Sequence, residues 1–170
     1  SATEIVIPDG VTEIDDGAFM DCTALTSVVL PDSMTVIGNY AFNSCSALAQ
    51  INFPDGLISI GYDAFNSCES LVEIALPDSV SSIGEYAFEG CTSLVRARLP
   101  EGITALPPAI FADCPALSDV VIPDSVTSIG AGAFNGCRSL AQITIPSGVT
   151  QIGDVAFSRC TALAELTLPD

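Results

Sequence analysis

Cysteines fall at Cys22, Cys45, Cys68, Cys91, Cys114, Cys137 and Cys160, and every interval is 23 residues. Phenylalanines run three residues ahead of them, at Phe19, Phe42, Phe65, Phe88, Phe111, Phe134 and Phe157. Leucines run three behind, at Leu25, Leu48, Leu71, Leu94, Leu117, Leu140 and Leu163, and prolines close the units at Pro8, Pro31, Pro54, Pro77, Pro100, Pro123, Pro146 and Pro169. Columns held in one register over the whole chain mean a repeated structural unit. One such unit cannot bury its own apolar face, but stacked copies can, each rung covering the next.

Within a unit, Pro123 to Ile145 for example, the last part alternates apolar residues such as Val120 and Ile122, or Ile143 and Ile145. That period of two predicts a short strand with one buried face, and the proline that follows must end it in a turn. A second apolar pair, Val80 with Ile83 or Val126 with Ile129, predicts a brief extended segment on the opposite side. Glycine usually comes next, at Gly38, Gly61, Gly84, Gly130 and Gly153, and is read as permitting a sharp bend. Phe, Cys and Leu three residues apart fit a turn of 3₁₀ or α-helix with its apolar side inward. The expected fold is an α/β solenoid with a parallel sheet on one side and short 3₁₀, helical or extended segments on the other. Eight strands at roughly 4.8 Å per rung would span on the order of 35 Å. Phe is bulkier than the strand-side Ile and Leu, so it should widen the far side and leave the strand face concave.

Charge narrows the partners. Four Lys plus Arg against 21 Asp plus Glu give a formal charge of -17, and there is no histidine. Such a surface repels nucleic acid and anionic membrane, because it lacks the cations that contact phosphate. Without His, a histidine-dependent triad or an H-E-x-x-H zinc site cannot be built. No segment approaches 18 consecutive apolar residues, so direct membrane insertion through a helix is not expected.

Several columns could carry chemistry. The cysteines lack the close pairing of metal sites, and their uniform place beside Phe reads as buried structural thiols, with disulfides between rungs as the alternative. The outward strand positions vary from rung to rung: Gln50, Glu73, Arg96, Asp119 and Gln142 in one column, Asn52, Ala75, Arg98, Val121 and Thr144 in its companion. They are the candidate ligand-binding residues, and an ordinary solvated face is the competing reading. Arg96 and Arg98 lie between Glu73 and Asp119, so ion pairing across rungs competes with an anion-binding role. Leu106, Pro107 and Pro108 break the pattern, which is either drift on the convex side or a local partner site. A column of Asp9, Asp32, Asp55, Asp78, Glu101, Asp124, Ser147 and Asp170 suits turns that accept backbone N–H groups, with weak calcium binding as the alternative and no other cofactor implied. Nothing marks out one catalytic constellation, so no enzyme is expected.

Ser139 to Pro146, Val126 to Gly130 (Val-Thr-Ser-Ile-Gly) and Ala133 to Cys137 (Ala-Phe-Asn-Gly-Cys) resemble the BspA-like leucine-rich repeats of bacterial and protist cell-surface proteins, and the resemblance covers essentially all 170 residues. It implies one domain over 1–170 of about seven 23-residue repeats, a right-handed superhelix, and an extracellular or cell-surface location. The implied role is a concave surface that binds protein or glycan in adhesion, with a structural spacer as the alternative. Both ends lie inside a unit, and the corresponding expectation is an excerpt of a longer array, or end-to-end self-association through terminal rungs that lack polar caps.

Overall fold

The computed structural model describes residues 3–167; Leu168, Pro169 and Asp170, the last members of their columns, lie outside them. The main strands are β1 (Glu4–Val6), β3 (Ser27–Val29), β5 (Gln50–Ile51), β7 (Glu73–Ala75), β9 (Arg96–Arg98), β11 (Asp119–Val121), β13 (Gln142–Thr144) and β15 (Glu165–Thr167). Between them lie two-residue strands: β2 (Glu13–Ile14), β4 (Val36–Ile37), β6 (Ser59–Ile60), β8 (Ser82–Ile83), β10 (Ala105–Leu106), β12 (Ser128–Ile129) and β14 (Gln151–Ile152). Pairing is parallel in both sets and joins residues one repeat apart, Ile5 with Val28 and Ile14 with Ile37 among them. The result is a β-solenoid of about seven turns, and the second extended segment is present as expected.

No helix occurs among the described residues, so the expected α/β class and 3₁₀ segments are corrected to an all-β coil closed by turns. The reason lies in the backbone. Two positions per rung are left-handed: Gly17, Tyr40, Asp63, Tyr86, Ala109, Gly132 and Val155 in one column, Asp21, Ser44, Ser67, Gly90, Asp113, Gly136 and Arg159 in the other. A left-handed residue interrupts any right-handed helix. It also turns alternate N–H groups along the rod. Gly17, Phe19 and Asp21 donate to the carbonyls of Asn39, Ala41 and Asn43 on the next rung at 2.8, 2.8 and 2.9 Å, while Ala18, Met20 and Cys22 donate three residues back within the turn. A helix sends each N–H to its own preceding turn, whereas here half of them tie rungs together.

Val155 is the β-branched member of the first left-handed column, at φ 53° and 63% exposed, so it pays the steric penalty without packing in return. Left-handed backbone costs an L-residue about 1–2 kcal/mol, of which glycine gives back part through its freer unfolded chain. Val155→Gly should therefore raise stability by about 1 kcal/mol and the melting temperature by about 2–4 °C, as read by thermal unfolding.

Phe42, Phe65, Phe88, Phe111 and Phe134 are fully enclosed, and Phe19 and Phe157 pack against the same core from the end rungs. Their rings stack nearly parallel, with centroids 5.2–5.4 Å apart except around Phe111, where the spacings are 6.0 and 5.8 Å. Ile110 occupies the column that holds Ala41, Ala64, Ala87 and Ala133 in other rungs, and its extra bulk sits where the stack opens.

The glycine column has a different cause from the expected bend. Gly38, Gly61, Gly84, Gly130 and Gly153 are not left-handed; a Cβ on each would lie 2.4–2.8 Å from backbone atoms of the preceding rung. Glycine is there because two main chains touch. Pro107 stands in the same column, and it has no N–H to match the bonds that Gly84 and Gly130 send to Ile60 and Leu106, both at 2.8 Å. The short-strand sheet accordingly divides into β2-β4-β6-β8 and β10-β12-β14, with a cleft of about 190 Å³ bounded by Ser82, Ile83, Ala105 and Pro107. The main sheet divides elsewhere, into β1-β3-β5, β7-β9-β11 and β13-β15. One rung before the first of these interruptions, between the paired β3 and β5, the Asn52 amide takes over both backbone groups of Leu30, Oδ1 accepting from its N–H at 2.7 Å and Nδ2 donating to its carbonyl at 2.9 Å. A side chain thereby replaces the last rung of pairing, and β5 stops at two residues.

Candidate functional site

Each main strand places its middle residue inward and its flanking residues outward, because successive side chains point to opposite faces. Ile74, Ala97, Val120 and Ile143 are buried, whereas Glu73, Ala75, Arg96, Arg98, Asp119, Val121, Gln142 and Thr144 are exposed. Gln50 and Asn52 are exposed on the same face. The structure thus brings all ten expected surface residues onto one side of the coil.

They are not equally free. Arg96 is shared between Asp119, whose Oδ2 lies 2.8 Å from Nε, and Glu73 at 3.7 Å. These two carboxylates hold its guanidinium above its ordinary pKa. Arg98 donates to the Leu76 carbonyl at 2.7 Å and to both oxygens of Asp78 at 3.1 and 3.2 Å. Both arginines therefore tie rungs together, the ion-pairing reading, and exposed pairs of this type add little stability. Asn52 is likewise spent on Leu30. What remains open lies where the main sheet is interrupted. A groove of about 490 Å³ runs between β11 and β13, lined by Asp119, Val121, Asp124, Gln142, Thr144 and Glu165. A second of about 540 Å³ lies over β3 and β5, lined by Val29, Gln50, Asn52, Val72 and Glu73. The Arg96 and Arg98 rung stands between them.

The cysteine column is structural. Each thiol from Cys45 to Cys160 donates to the carbonyl of the Phe on the preceding rung, at 3.0–3.3 Å. All seven cysteines are free of disulfides. Burial pushes Cys45 up to about 11, and it raises Cys68, Cys91, Cys137 and Cys160 as well, so these thiols stay protonated and unreactive at neutral pH. Cys22, on the first rung, is only partly buried. Alkylation of the native protein should modify Cys22 first and leave the rest until denaturant is added; rapid native modification of Cys91 would contradict the ladder.

The aspartate column does less than expected. Asp78 accepts from the Glu101 N–H at 3.2 Å, but the serines that follow the acidic residue make the turn's cross-rung bonds, Ser33 to Val11, Ser79 to Leu57 and Ser125 to Ile103, at 2.6–2.7 Å. Among the described residues no group of three or more acidic or cysteine side chains converges as a metal would require. Sequence reasoning missed a polar bridge and an aromatic one. Asn66 joins Asp63 and Glu89 at 2.7 and 2.8 Å, and burial, with Asp63 and Asp113 adding to it, raises the Glu89 carboxyl. Tyr40, Tyr62 and Tyr86 meet edge to face, with centroids 5.3 and 5.4 Å apart. The tyrosines occupy two adjacent columns whose other members are Gly, Asp, Asn, Glu, Pro, Ala and Val, so no periodicity announces them.

The BspA type leucine rich repeat region matches in six copies over residues 1–118 and 104–170. A leucine-rich repeat protein from Bacteroides ovatus is 34% identical with a TM-score of 0.94, over 98% of this chain and 45% of that one. The T. pallidum leucine rich repeat protein is 36% identical with a TM-score of 0.87, over 95% of this chain and 78% of that one. A leucine rich cell surface protein from Faecalibacterium prausnitzii is 31% identical with a TM-score of 0.68, over 96% and 59% respectively. The chain thus spans less than half of the Bacteroides ovatus protein. No curated protein matches it in sequence. Stacked parallel rungs, the Phe and Cys ladders and these matches agree: the chain belongs to the BspA-type leucine-rich-repeat family.

Proposed function

We propose that the chain is a non-enzymatic recognition module of a cell-surface protein, whose main-strand face binds a partner protein through the two grooves beside the arginine rung. The observation that carries this reading is the coincidence of the open grooves with the outward columns that vary between rungs. Solenoids commonly use such a face for recognition, and the likeness to a cell-surface protein supports the location. The groove between β11 and β13 joins a 74% exposed valine, Val121, to the carboxylates Asp124 and Glu165, which suits a partner segment with apolar and cationic side chains.

A spacer role is the second reading, favoured by Arg96, Arg98 and Asn52 being spent inside the coil. The two separate in a surface-plasmon-resonance screen of matrix proteins with the wild type and Val121→Asp. A recognition module binds at least one of them and loses about tenfold or more in the variant, since a central contact is worth at least about 1.4 kcal/mol. Equal binding by both proteins, or binding by neither, makes the chain a spacer.

A further inference from the structure

We infer that the tyrosine ladder and the groove beside it form a second binding site, on the opposite side of the coil from the main strands, for a linear neutral polysaccharide. The chain has three tyrosines and no tryptophan, and all three tyrosines stand in this one cluster. The fold does not ask for them. In the column of Tyr40 and Tyr86 other rungs carry Gly17, Asp63, Ala109, Gly132 or Val155, and in the column of Tyr62 they carry residues such as Asp16, Asn39 and Ala131. Tyr40 and Tyr86 are moreover held left-handed, at φ 56° and 60°, where glycine would sit without strain. Large aromatic side chains kept in strained positions that small residues fill elsewhere indicate a task other than packing. Tyr40 and Tyr62 remain 39% and 37% exposed, so ring surface is available.

Tyr62 borders a groove of about 440 Å³ over the short strands, whose floor is the glycine column and whose polar lining includes Glu13, Ser59 and Ser82. Asp16 and Asn39 also line it, but they are tied into a relay along the rod: Asp16 accepts from the Asn39 N–H at 2.7 Å, and Asn39 Oδ1 accepts from the Tyr62 N–H at 2.8 Å. The relay fixes the rung that carries Tyr62, and it leaves the Glu13 carboxylate and the two serine hydroxyls to meet a ligand.

The chemistry selects the ligand. Aromatic rings beside hydroxyl and carboxylate groups suit sugars, which present C–H faces to the rings and hydroxyls to the polar lining. None of the four arginines lines the groove, and the chain carries a charge of -17, so an anionic polymer is excluded by repulsion. A protein partner would call for the larger apolar and arginine-rich patch of interface cores. The lining also repeats: glycine and serine recur one rung apart and the tyrosines follow at 5.3 and 5.4 Å, a periodicity that fits a ligand made of identical units.

Because the chain has no tryptophan and phenylalanine is not excited near 280 nm, fluorescence excited there comes from the three tyrosines alone, which gives a direct readout. The chain is titrated with laminarin, xylan, mannan and hydroxyethylcellulose, following tyrosine emission and retardation in native gels that contain each polymer. At least one polymer should alter the emission and retard the protein, with little dependence on salt. The triple variant Y40G/Y62A/Y86G should lose retardation tenfold or more, while Tyr62→Phe, which keeps the ring, should retain it. Should the triple variant melt well below the wild type, Tyr62→Ala alone, at a position without backbone strain, gives the same test. Val121→Asp should leave retardation unchanged, so a failure here is separable from a failure of the main-strand reading. The inference is overturned if no polymer changes emission or mobility, if the tyrosine variants are retarded like the wild type, if Val121→Asp abolishes retardation, or if the tyrosines prove to bind a protein while every polymer is silent.

Discussion

Raised from pH 8 toward pH 12, the protein should unfold cooperatively, and the thiol ladder should set the steepness of the transition. Burial lifts Cys68, Cys91 and Cys137 well above the ordinary thiol value, and lifts Cys45 to about 11. In the unfolded chain the same groups ionise near the ordinary value, so above it the unfolded state holds fewer protons than the folded one. Stability therefore falls as pH rises from the unfolded value to the folded value, and is unaffected by these groups below about pH 8. Each enclosed thiol contributes a slope of about 1.4 kcal/mol per pH unit in that window, and three together about 4 kcal/mol per pH unit. A domain stable by roughly 5–15 kcal/mol is exhausted within a few pH units. Circular dichroism against pH reads the loss of fold, and in a Cys22→Ala protein, which removes the one partly buried thiol, thiolate absorbance near 240 nm corrected for tyrosinate should rise with it and not before. Replacing the three cysteines by alanine isolates them from other alkaline titrations: the variant is less stable at pH 7 but shows a flatter slope. Thiolate absorbance that precedes unfolding, or equal slopes in both proteins, would refute the account.

Gly84→Ala should destabilise by about 3 kcal/mol, near the top of the range for overpacking, because the clash is with main chain and not with a side chain that can swing away. The new Cβ would lie 2.4 Å from the Tyr62 nitrogen and 2.5 Å from the Gly61 carbonyl carbon. The rung can yield only by opening the short-strand sheet. Gly148→Ala is the matched control: its Cβ would find its nearest neighbour at 3.5 Å, an ordinary contact, and its backbone is not left-handed. That substitution should be neutral or gain a few tenths of a kcal/mol through the stiffer unfolded chain. Thermal or urea unfolding of the two variants tests the close-approach explanation, and equal stability would return the column to a bend.

The columns of Phe, Cys and Leu made the rung, its register and its interior legible in the sequence, because a repeat must place equivalent residues equivalently. The absence of helix was hidden. Left-handed positions usually show as glycine, but here they are filled by Tyr40, Ser67, Asp113, Arg159 and others, and three-residue spacing looks the same in a turn as in a helix. The glycine column was seen and its cause mistaken, since a bend and a backbone contact both call for glycine. On the candidate face the alternation of the strands placed every residue outward, yet Asn52 looked free when it is bound to Leu30, and Arg98, expected to pair with Glu73 or Asp119, is bound to Leu76 and Asp78. Those bonds join residues 20–22 apart instead of one full repeat, an offset that column-by-column reading cannot reveal.

The two sheets are interrupted at different heights along the rod. Where β5 and β7 part, β6 and β8 stay paired; where β8 and β10 part, β7 and β9 hold; where β11 and β13 part, β12 and β14 hold. The seams are staggered like joints in brickwork, so no single cross-section is a plane of cleavage. Each seam in one sheet is bridged by an unbroken pair in the other, so a pull along the axis meets main-chain hydrogen bonds at every one of these junctions.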